Sequence, residues 1–122
     1  MKVSKRVLIV DDDGEIVTGM RLRLEAAGYR TSAARDGHQC LECALADPPD
    51  AIVLDVRMPR LDGLATLKRL RTTDRTRQVP VVMLSASLAD QRAALDAGAR
   101  FFLTKPYQGS KLIEAVHCVT DN

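Results

Sequence analysis

Four short apolar runs in this chain each end on a reactive polar residue, and this repetition restricts the folds open to it. Asp11, Asp55, Ser85 and Lys105 stand directly after these runs. Runs of this length, rich in Val, Ile and Leu, are typical of strands buried on both faces of a parallel sheet. If the four runs are parallel strands of one sheet, their carboxyl ends meet at one edge. That edge then collects carboxylates, a hydroxyl and an ammonium group.

The segments between the apolar runs have the spacing and end signals of helices. Strands are predicted at 7–10, 29–33, 51–54, 79–84 and 100–104, and helices at 14–27, 38–46, 88–97 and 110–119, with another after Gly63. Repeated β-α-β units imply a parallel sheet with right-handed crossovers and helices on both faces. We therefore expect an α/β fold with a doubly wound, five-stranded parallel sheet.

Large apolar residues at helical spacing indicate which side chains pack on the sheet. The expected anchors are Ile16, Met20 and Leu24 in the first helix, Leu41 and Leu45 in the second, Leu88 and Leu95 in the fourth, and Leu112, Ile113, Val116 and Val119 in the last. Because the fourth helix has few such anchors, we expect it to shift at low cost.

Composition and charge argue against several classes of partner. A net charge of +2 is too small to indicate nucleic-acid binding, and we interpret the basic stretch at 68–77 as a solvated helix end and loop. No apolar run approaches the roughly 20 residues of a membrane helix. The basic start is followed by a strand-sized run and acids, which is not a signal-peptide pattern. We expect a cytoplasmic protein without direct nucleic-acid or membrane binding.

The three cysteines form no recognisable metal or redox site. Cys40 and Cys43 have C-x-x-C spacing, but the pair falls inside a predicted helix rather than at a strand-to-helix junction. Cys118 and the two histidines do not supply a second ligand pair. An odd count without a secretory signal also argues against a disulfide framework. We interpret the Cys40–Cys43 pair as half-buried structural thiols.

The polar strand ends suit phosphoryl chemistry assisted by Mg²⁺. Ligands of open α/β sheets bind beyond the carboxyl ends of the strands, near the reversal of strand order. Converging carboxylates repel one another by about 4 kcal/mol per pair at 4 Å and an effective dielectric of 20, and a divalent cation relieves this cost. An oxygen-only ligand set favours Mg²⁺ over Zn²⁺. One carboxylate can then attack phosphorus, while Lys105 and Ser85 bind the phosphoryl oxygens.

The segments that carry these residues resemble the receiver domain of bacterial two-component response regulators. The matching stretches are VLIVDDD at 7–13, VLDVRMPRLDG at 53–63, VMLSA at 82–86, and 97–107 with its AGA start and TKPY end. The resemblance covers about residues 6–119. It implies a flavodoxin-like (βα)5 fold with strand order 2-1-3-4-5, and a single receiver domain over 1–122 with no output domain in this chain.

The resemblance implies roles for the residues at the acidic end of the site. Asp55 resembles the phosphoacceptor, Asp12 the direct Mg²⁺ ligand, and Asp11 the acid that acts on the metal mostly through water. Arg57 resembles the position whose backbone carbonyl completes the metal site. Its long cationic side chain is unusual there, and we hypothesise that it reaches the phosphoryl group or a nearby acid and alters the lifetime of the aspartyl phosphate.

The remaining roles concern phosphate binding and switching. Lys105 resembles the phosphate-binding lysine, and its bond to Pro106 is typically cis in the family. Ser85 resembles the switch hydroxyl that moves toward the phosphoryl group, and Phe102 resembles the aromatic switch residue. The resemblance implies a histidine kinase or histidine phosphotransfer protein as donor. A downstream partner or output domain would read the face formed by the fourth helix, fifth strand and fifth helix. The resemblance also implies that the domain slowly hydrolyses its own aspartyl phosphate and is not a turnover enzyme.

Three other interpretations remain open. Asp11 and Asp13 have the spacing of a small phosphatase of the haloacid-dehalogenase type, although Glu15 stands where Thr or Val is usual. We interpret Asp13 first as an N-cap of the following helix. The chain could also be a pseudo-receiver that folds without being phosphorylated, although it retains Asp12, Asp55, Ser85 and Lys105. It could also be a piece of a longer regulator or hybrid kinase.

Overall fold

The computed structural model describes residues 4–120, in which five strands alternate with five helices. The strands are β1 Arg6–Val10, β2 Arg30–Ala34, β3 Ala51–Asp55, β4 Val81–Ser85 and β5 Phe101–Thr104. The helices are α1 Gly14–Ala26, α2 Gly37–Ala46, α3 Gly63–Arg71, α4 Asp90–Asp96 and α5 Gly109–Thr120. Within residues 4–120, no helix is long and apolar enough to cross a membrane.

The strands form one parallel sheet with the order β2-β1-β3-β4-β5, so the predicted fold class is confirmed. Its register brings the polar strand ends to one edge. Val10 of β1 lies beside Leu54 of β3, which puts the following Asp11 level with Asp55. On the other side of β3, Asp55 lies beside Leu84 of β4, one residue before Ser85.

The sheet separates two apolar cores, because successive side chains of a strand point to opposite faces. In β1, Leu8 and Val10 pack with buried residues of α2, α3 and α4, whereas Val7 and Ile9 pack with those of α1 and α5. β3 divides in the same way, and all five of its residues are buried. Each fully buried Leu, Ile or Val contributes about 1.5–3 kcal/mol, so these central strands fix the positions of their polar ends firmly.

Several predicted helix anchors are wrong. In α1, Ile16 is exposed and Val17 is buried in its place, while Met20 and Leu24 are buried as predicted. The predicted stripe was misplaced by one residue at its first position. A four-residue spacing alone does not show which side of a helix faces the sheet, because this also depends on the angle between the helix and the sheet.

Helix α2 packs on the sheet through smaller residues than predicted. Leu45 is exposed, Leu41 is partly buried, and the fully buried residues are Cys40 and Ala44. In α5, by contrast, Leu112, Val116 and Val119 are buried and Ile113 packs against the same core, as predicted.

Helix α4 is the least anchored of the five. It begins at Asp90 rather than at residue 88 and has seven residues. Leu88 and Leu95 are 64% and 44% exposed, so the prediction that they anchor this helix is wrong. Its buried residue is Ala94. A single small side chain removes little apolar area from water, so α4 is held even more weakly than the sequence indicated.

The cysteines lie in two different environments. Cys40 is fully buried in α2, and burial raises the pKa of its thiol to about 12. A thiol with so high a pKa is a poor nucleophile and metal ligand at neutral pH. Cys43 and Cys118 are exposed, so the prediction of half-buried thiols is wrong for both residues of the C-x-x-C pair. The placement of the C-x-x-C pair inside a helix is confirmed.

Three of the helices begin with an Asp-Gly pair whose aspartate caps the helix. Asp13, Asp36 and Asp62 each accept hydrogen bonds from backbone N–H groups of the first turn of α1, α2 and α3. Such caps satisfy donors that have no partner within the helix. The N-cap prediction for Asp13 is confirmed by bonds of 3.0 and 3.4 Å from the N–H groups of Glu15 and Ile16.

Gly63, the first residue of α3, packs directly on the end of β3. Its N–H donates to the carbonyl of Val56 at 2.9 Å. A Cβ atom at this position would overlap the carbonyl oxygen of Asp55 and lie 2.8 Å from the Cα of Val56. The loop between β3 and α3 therefore folds back tightly against Asp55, and only glycine fits there.

The variant Gly63→Ala should be destabilised by about 1–3 kcal/mol, because the added methyl group forces the backbone of β3 and α3 apart. The matched control is Gly14→Ala. Gly14 is also the first residue of a helix after an aspartate cap, and a Cβ there would have nothing within 4 Å. Urea unfolding should show little change or a small gain for the control. Equal losses in the two variants would contradict the close packing at Asp55.

Candidate functional site

Three carboxylates meet at the edge of the sheet where β1 and β3 end. One oxygen from each of Asp11, Asp12 and Asp55 lies within 4.8 Å of the others. Asp11 and Asp55 are 2% and 6% exposed, whereas Asp12 is exposed. The predicted acid cluster is therefore present, and its two inner members are held by the buried ends of neighbouring strands.

Asp11 occupies the least favourable position for a negative charge. Burial raises the pKa of its carboxyl, and the charges of Asp55 and Asp12 raise it further. The backbone N–H of Asp13, which donates to Oδ1 of Asp11 at 3.0 Å, and the ammonium of Lys105 act in the opposite direction. Across residues 4–120, Oδ2 of Asp11 has no hydrogen-bond partner, since Nζ of Lys105 is 3.8 Å away.

Lys105, the residue after β5, brings a positive charge to this cluster. Its Nζ lies 3.2 Å from Oδ2 of Asp55, and its side chain is 26% exposed. Its backbone N–H donates to the carbonyl of Ser85 at 2.7 Å, which ties the end of β5 to the end of β4. The Lys105–Pro106 peptide bond is cis, as the resemblance implied.

The acid cluster has the chemistry of a site for a hard divalent cation. A buried carboxylate oxygen without a hydrogen-bond donor is costly, and a cation at that oxygen would remove the cost. Asp11, Asp12 and Asp55 offer only oxygen ligands, and three protein ligands are fewer than the six that Mg²⁺ takes. Such a set fits Mg²⁺.

Ser85 is not hydrogen-bonded to the acid cluster but to an acid that the sequence analysis missed. Its hydroxyl donates to Oδ2 of Asp90 at 2.5 Å. Asp90 is the first residue of α4, and its side chain is 14% exposed. The sequence contained only a weak signal for it, an acid five positions after Ser85. Its role depends on where α4 begins, which the sequence did not fix.

Arg57 also contacts Asp90. Its Nε and Nη2 atoms donate to the Asp90 carboxylate at distances of 3.2–3.3 Å. The part of the hypothesis in which Arg57 reaches a nearby acid is therefore confirmed, and its effect on the lifetime of the aspartyl phosphate stays a prediction. The Arg57 side chain is 69% exposed, so solvent screens this ion pair, and its contribution to stability is at most about 1 kcal/mol.

Phe102 lies on β5, the strand beside β4. It stands level with Met83 of β4 and packs, partly buried, against the core beneath α2, α3 and α4. The neighbouring Phe101 is exposed on the other face of the strand. Phe102 therefore borders the same core into which α4 inserts Ala94.

The fold and the acid cluster define a flavodoxin-like domain with three converging carboxylates where the strand order reverses. The response regulator receiver domain family matches residues 7–117. The chain belongs to this family, which acts in two-component signalling.

Individual relatives agree with this assignment. Response regulator MprA of Mycobacterium ulcerans is 42% identical over 113 residues, which are 91% of this chain and 48% of that protein. The chain thus spans about half the length of the curated relatives it matches. A protein of Chloroflexus aurantiacus assigned as a response regulator superposes with a TM-score of 0.94 at 31% identity, covering 98% of this chain and 100% of the other.

A third relative bears on the metal. The receiver domain of sensor histidine kinase PA1611 from Pseudomonas aeruginosa superposes with a TM-score of 0.89 at 29% identity, covering 98% of this chain and 100% of the other. Its crystal structure has a magnesium ion coordinated in the active-site cleft. A receiver domain of the same fold therefore binds the cation that the carboxylates of this chain suit.

Replacing Asp11 by Asn should stabilise the metal-free protein at neutral pH by on the order of 1 kcal/mol, because it removes a buried charge beside two carboxylates. Asparagine keeps the oxygen that accepts from Asp13. Because the folded-state pKa of Asp11 is raised, the gain should disappear as the pH falls and the wild-type carboxyl becomes protonated. Thermal unfolding over a pH series measures both effects.

Mg²⁺ supplies the complementary half of this test. At 100 times its Kd it should stabilise the wild type by about 2.7 kcal/mol, and Asp11→Asn by less at the same concentration. Asp12→Asn is the control, because Asp12 is exposed. Without metal, this variant should gain less stability than Asp11→Asn. A metal-free Asp11→Asn protein less stable than the wild type at neutral pH would contradict the repulsion at this site.

Proposed function

We propose that this domain accepts a phosphoryl group on Asp55 from the phosphohistidine of a histidine kinase or histidine phosphotransfer protein. One observation carries the proposal. The Asp55 carboxylate ends a fully buried strand inside the acid cluster, 3.2 Å from the ammonium of Lys105. A carboxylate so placed has a cation site on one side and a fixed positive charge on the other, as phosphoryl transfer requires.

The transfer exchanges one bond to phosphorus for another. A carboxylate oxygen of Asp55 forms a bond to phosphorus while the bond from phosphorus to the imidazole nitrogen of the donor breaks. The electron pair of that bond leaves with the imidazole. Water later attacks the phosphorus of the aspartyl phosphate, which releases inorganic phosphate and restores the carboxylate. This slow self-hydrolysis resets the domain, which thus acts as a signalling phosphoacceptor and not as a turnover enzyme.

The chain's own residues would divide the work of charge neutralisation. Asp11 and Asp12, with Asp55 and the backbone carbonyl of Arg57, would hold Mg²⁺. When bound, Mg²⁺ supplies positive charge to a phosphoryl oxygen. Lys105, now paired with Asp55, would hold a second oxygen as a point charge. The hydroxyl of Ser85 would donate to a third.

Movement of Ser85 would convert phosphorylation into a change of surface. The space that it leaves lets Phe102 turn toward the core, and the face formed by α4, β5 and α5 changes. The weak anchoring of α4 through Ala94 suits a helix that shifts at low cost. A downstream partner or output domain that prefers one of the two states then reads the signal. We propose a cytoplasmic protein that does not itself contact nucleic acid.

The phosphatase alternative gains no support from the geometry. In that mechanism Asp11 is the nucleophile and Asp13 the acid two residues later. The Asp13 carboxylate, however, caps α1 by accepting from two backbone N–H groups. Turnover of p-nitrophenyl phosphate that depends on Asp11 and not on Asp55 would nevertheless revive it.

The variant Asp55→Asn should lose all labelling by acetyl phosphate in the presence of Mg²⁺, because an amide is a poor nucleophile toward phosphorus. The control is Asp13→Asn in the same acidic edge. Asparagine also caps helices, so this variant should keep its labelling. Labelling is measured by mass spectrometry of the intact protein and its peptides. Full labelling of Asp55→Asn would overturn the proposal.

A further inference from the structure

The hydroxyl of Ser85 is already engaged in the unphosphorylated protein. A serine hydroxyl has one proton, and here it is donated to Asp90 over 2.5 Å. The same oxygen accepts from the backbone N–H of Ser87 at 3.1 Å. Ser85 is fully buried, so water does not compete freely for the proton. The hydroxyl cannot donate to a phosphoryl oxygen without giving up Asp90.

We propose that Asp90 is a positioning residue that restrains the Ser85 hydroxyl in the unphosphorylated state and thereby opposes phosphorylation of Asp55. This inference rests on the proposed function and adds a competitor to it. Asp90 and the phosphoryl group are alternative acceptors for one proton. The affinity of the site for a phosphoryl group is therefore lowered by the strength of the Ser85–Asp90 bond.

The surroundings of Asp90 explain why it holds Ser85 well. Its carboxylate is mostly buried, and Arg57 donates to both of its oxygens. The guanidinium holds the carboxylate in one orientation through three contacts of 3.2–3.3 Å. A hydrogen bond to a charged acceptor is stronger than one to a neutral group. Arg57 thus acts on the phosphorylation site through Asp90 in this conformation.

The position of Asp90 links the hydroxyl to the weakly anchored helix α4. Asp90 is the first residue of α4, and this helix inserts only Ala94 into the core. Breaking the Ser85–Asp90 bond removes a side-chain hydrogen bond that joins the end of β4 to the start of α4. The same bond that restrains phosphorylation therefore also holds α4 in its unphosphorylated position.

Beryllofluoride with Mg²⁺, an analogue of the phosphoryl group, measures the competition directly. We expect Asp90→Ala to bind it about tenfold more tightly than the wild type, because the competing bond to a charged acceptor is gone. Asp90→Asn still accepts a hydrogen bond but carries no charge. Its affinity for beryllofluoride should lie between those of the wild type and Asp90→Ala. This near-isosteric variant also serves if Asp90→Ala folds poorly. Unchanged or weaker binding by both variants would overturn the proposal.

A mutant cycle separates competition for the hydroxyl from a general structural effect. The same Asp90→Ala change is made in proteins with Ser85 and with Ser85→Ala. All proteins of the cycle carry Arg57→Ala, so that a released guanidinium cannot contact the beryllofluoride. Asp90→Ala should tighten binding when Ser85 is present and have no effect when it is absent. Equal tightening in both backgrounds would show that Asp90 does not act through the hydroxyl, which overturns the proposal.

The two proposals fail in different ways. If wild-type protein and Asp90 variants all fail to bind beryllofluoride and to be labelled by acetyl phosphate, the proposed function falls, and this inference falls with it. If the wild type is labelled on Asp55 but the Asp90 variants behave like it, only the role of Asp90 is refuted.

Discussion

The balance of charge between two buried aspartates and one lysine is the interaction on which the site depends. Asp11 and Asp55 end neighbouring central strands, so the sheet forces their carboxylates together. Lys105 offsets part of this repulsion through Asp55, 3.2 Å away, but it lies 3.8 Å from Asp11. One buried oxygen of Asp11 is left without a hydrogen bond within residues 4–120. Without a metal, the negative charge of the two aspartates is therefore only partly compensated. A bound cation would compensate the rest.

The sheet can impose this cost because its central strands are buried on both faces. β3 is buried along its whole length, and Gly63 allows the following loop to fold back against Asp55. The peripheral elements are held less firmly. Helix α4 inserts one small residue, and its first residue is bonded to Ser85. Rigid acids and a weakly held helix thus share one edge of the sheet, which suits a domain that converts a chemical event into movement.

The sheet and the acid cluster could be predicted from the sequence, because both follow from where continuous apolar runs end. The residues that each helix buries against the sheet could not all be predicted. Val17 rather than Ile16 is buried in α1, and Leu95 of α4 is exposed, because helical spacing does not fix the angle of a helix on the sheet. Leu88 is exposed because it lies before α4, which begins at Asp90. Asp90 was missed because the sequence did not fix where α4 begins. Its contacts with Ser85, five residues away, and with Arg57, 33 residues away, depend on that start.

A crystal structure of the protein with Mg²⁺ and beryllofluoride tests the central claim most directly. We predict beryllium bonded to the Asp55 carboxylate, Mg²⁺ among Asp11, Asp12 and Asp55, and Nζ of Lys105 on one fluoride. The Ser85 hydroxyl should have left Asp90 for another fluoride. Beryllofluoride bound elsewhere, or Ser85 still donating to Asp90 beside a loaded Asp55, would contradict the claim that these residues form one phosphoacceptor site with a switch.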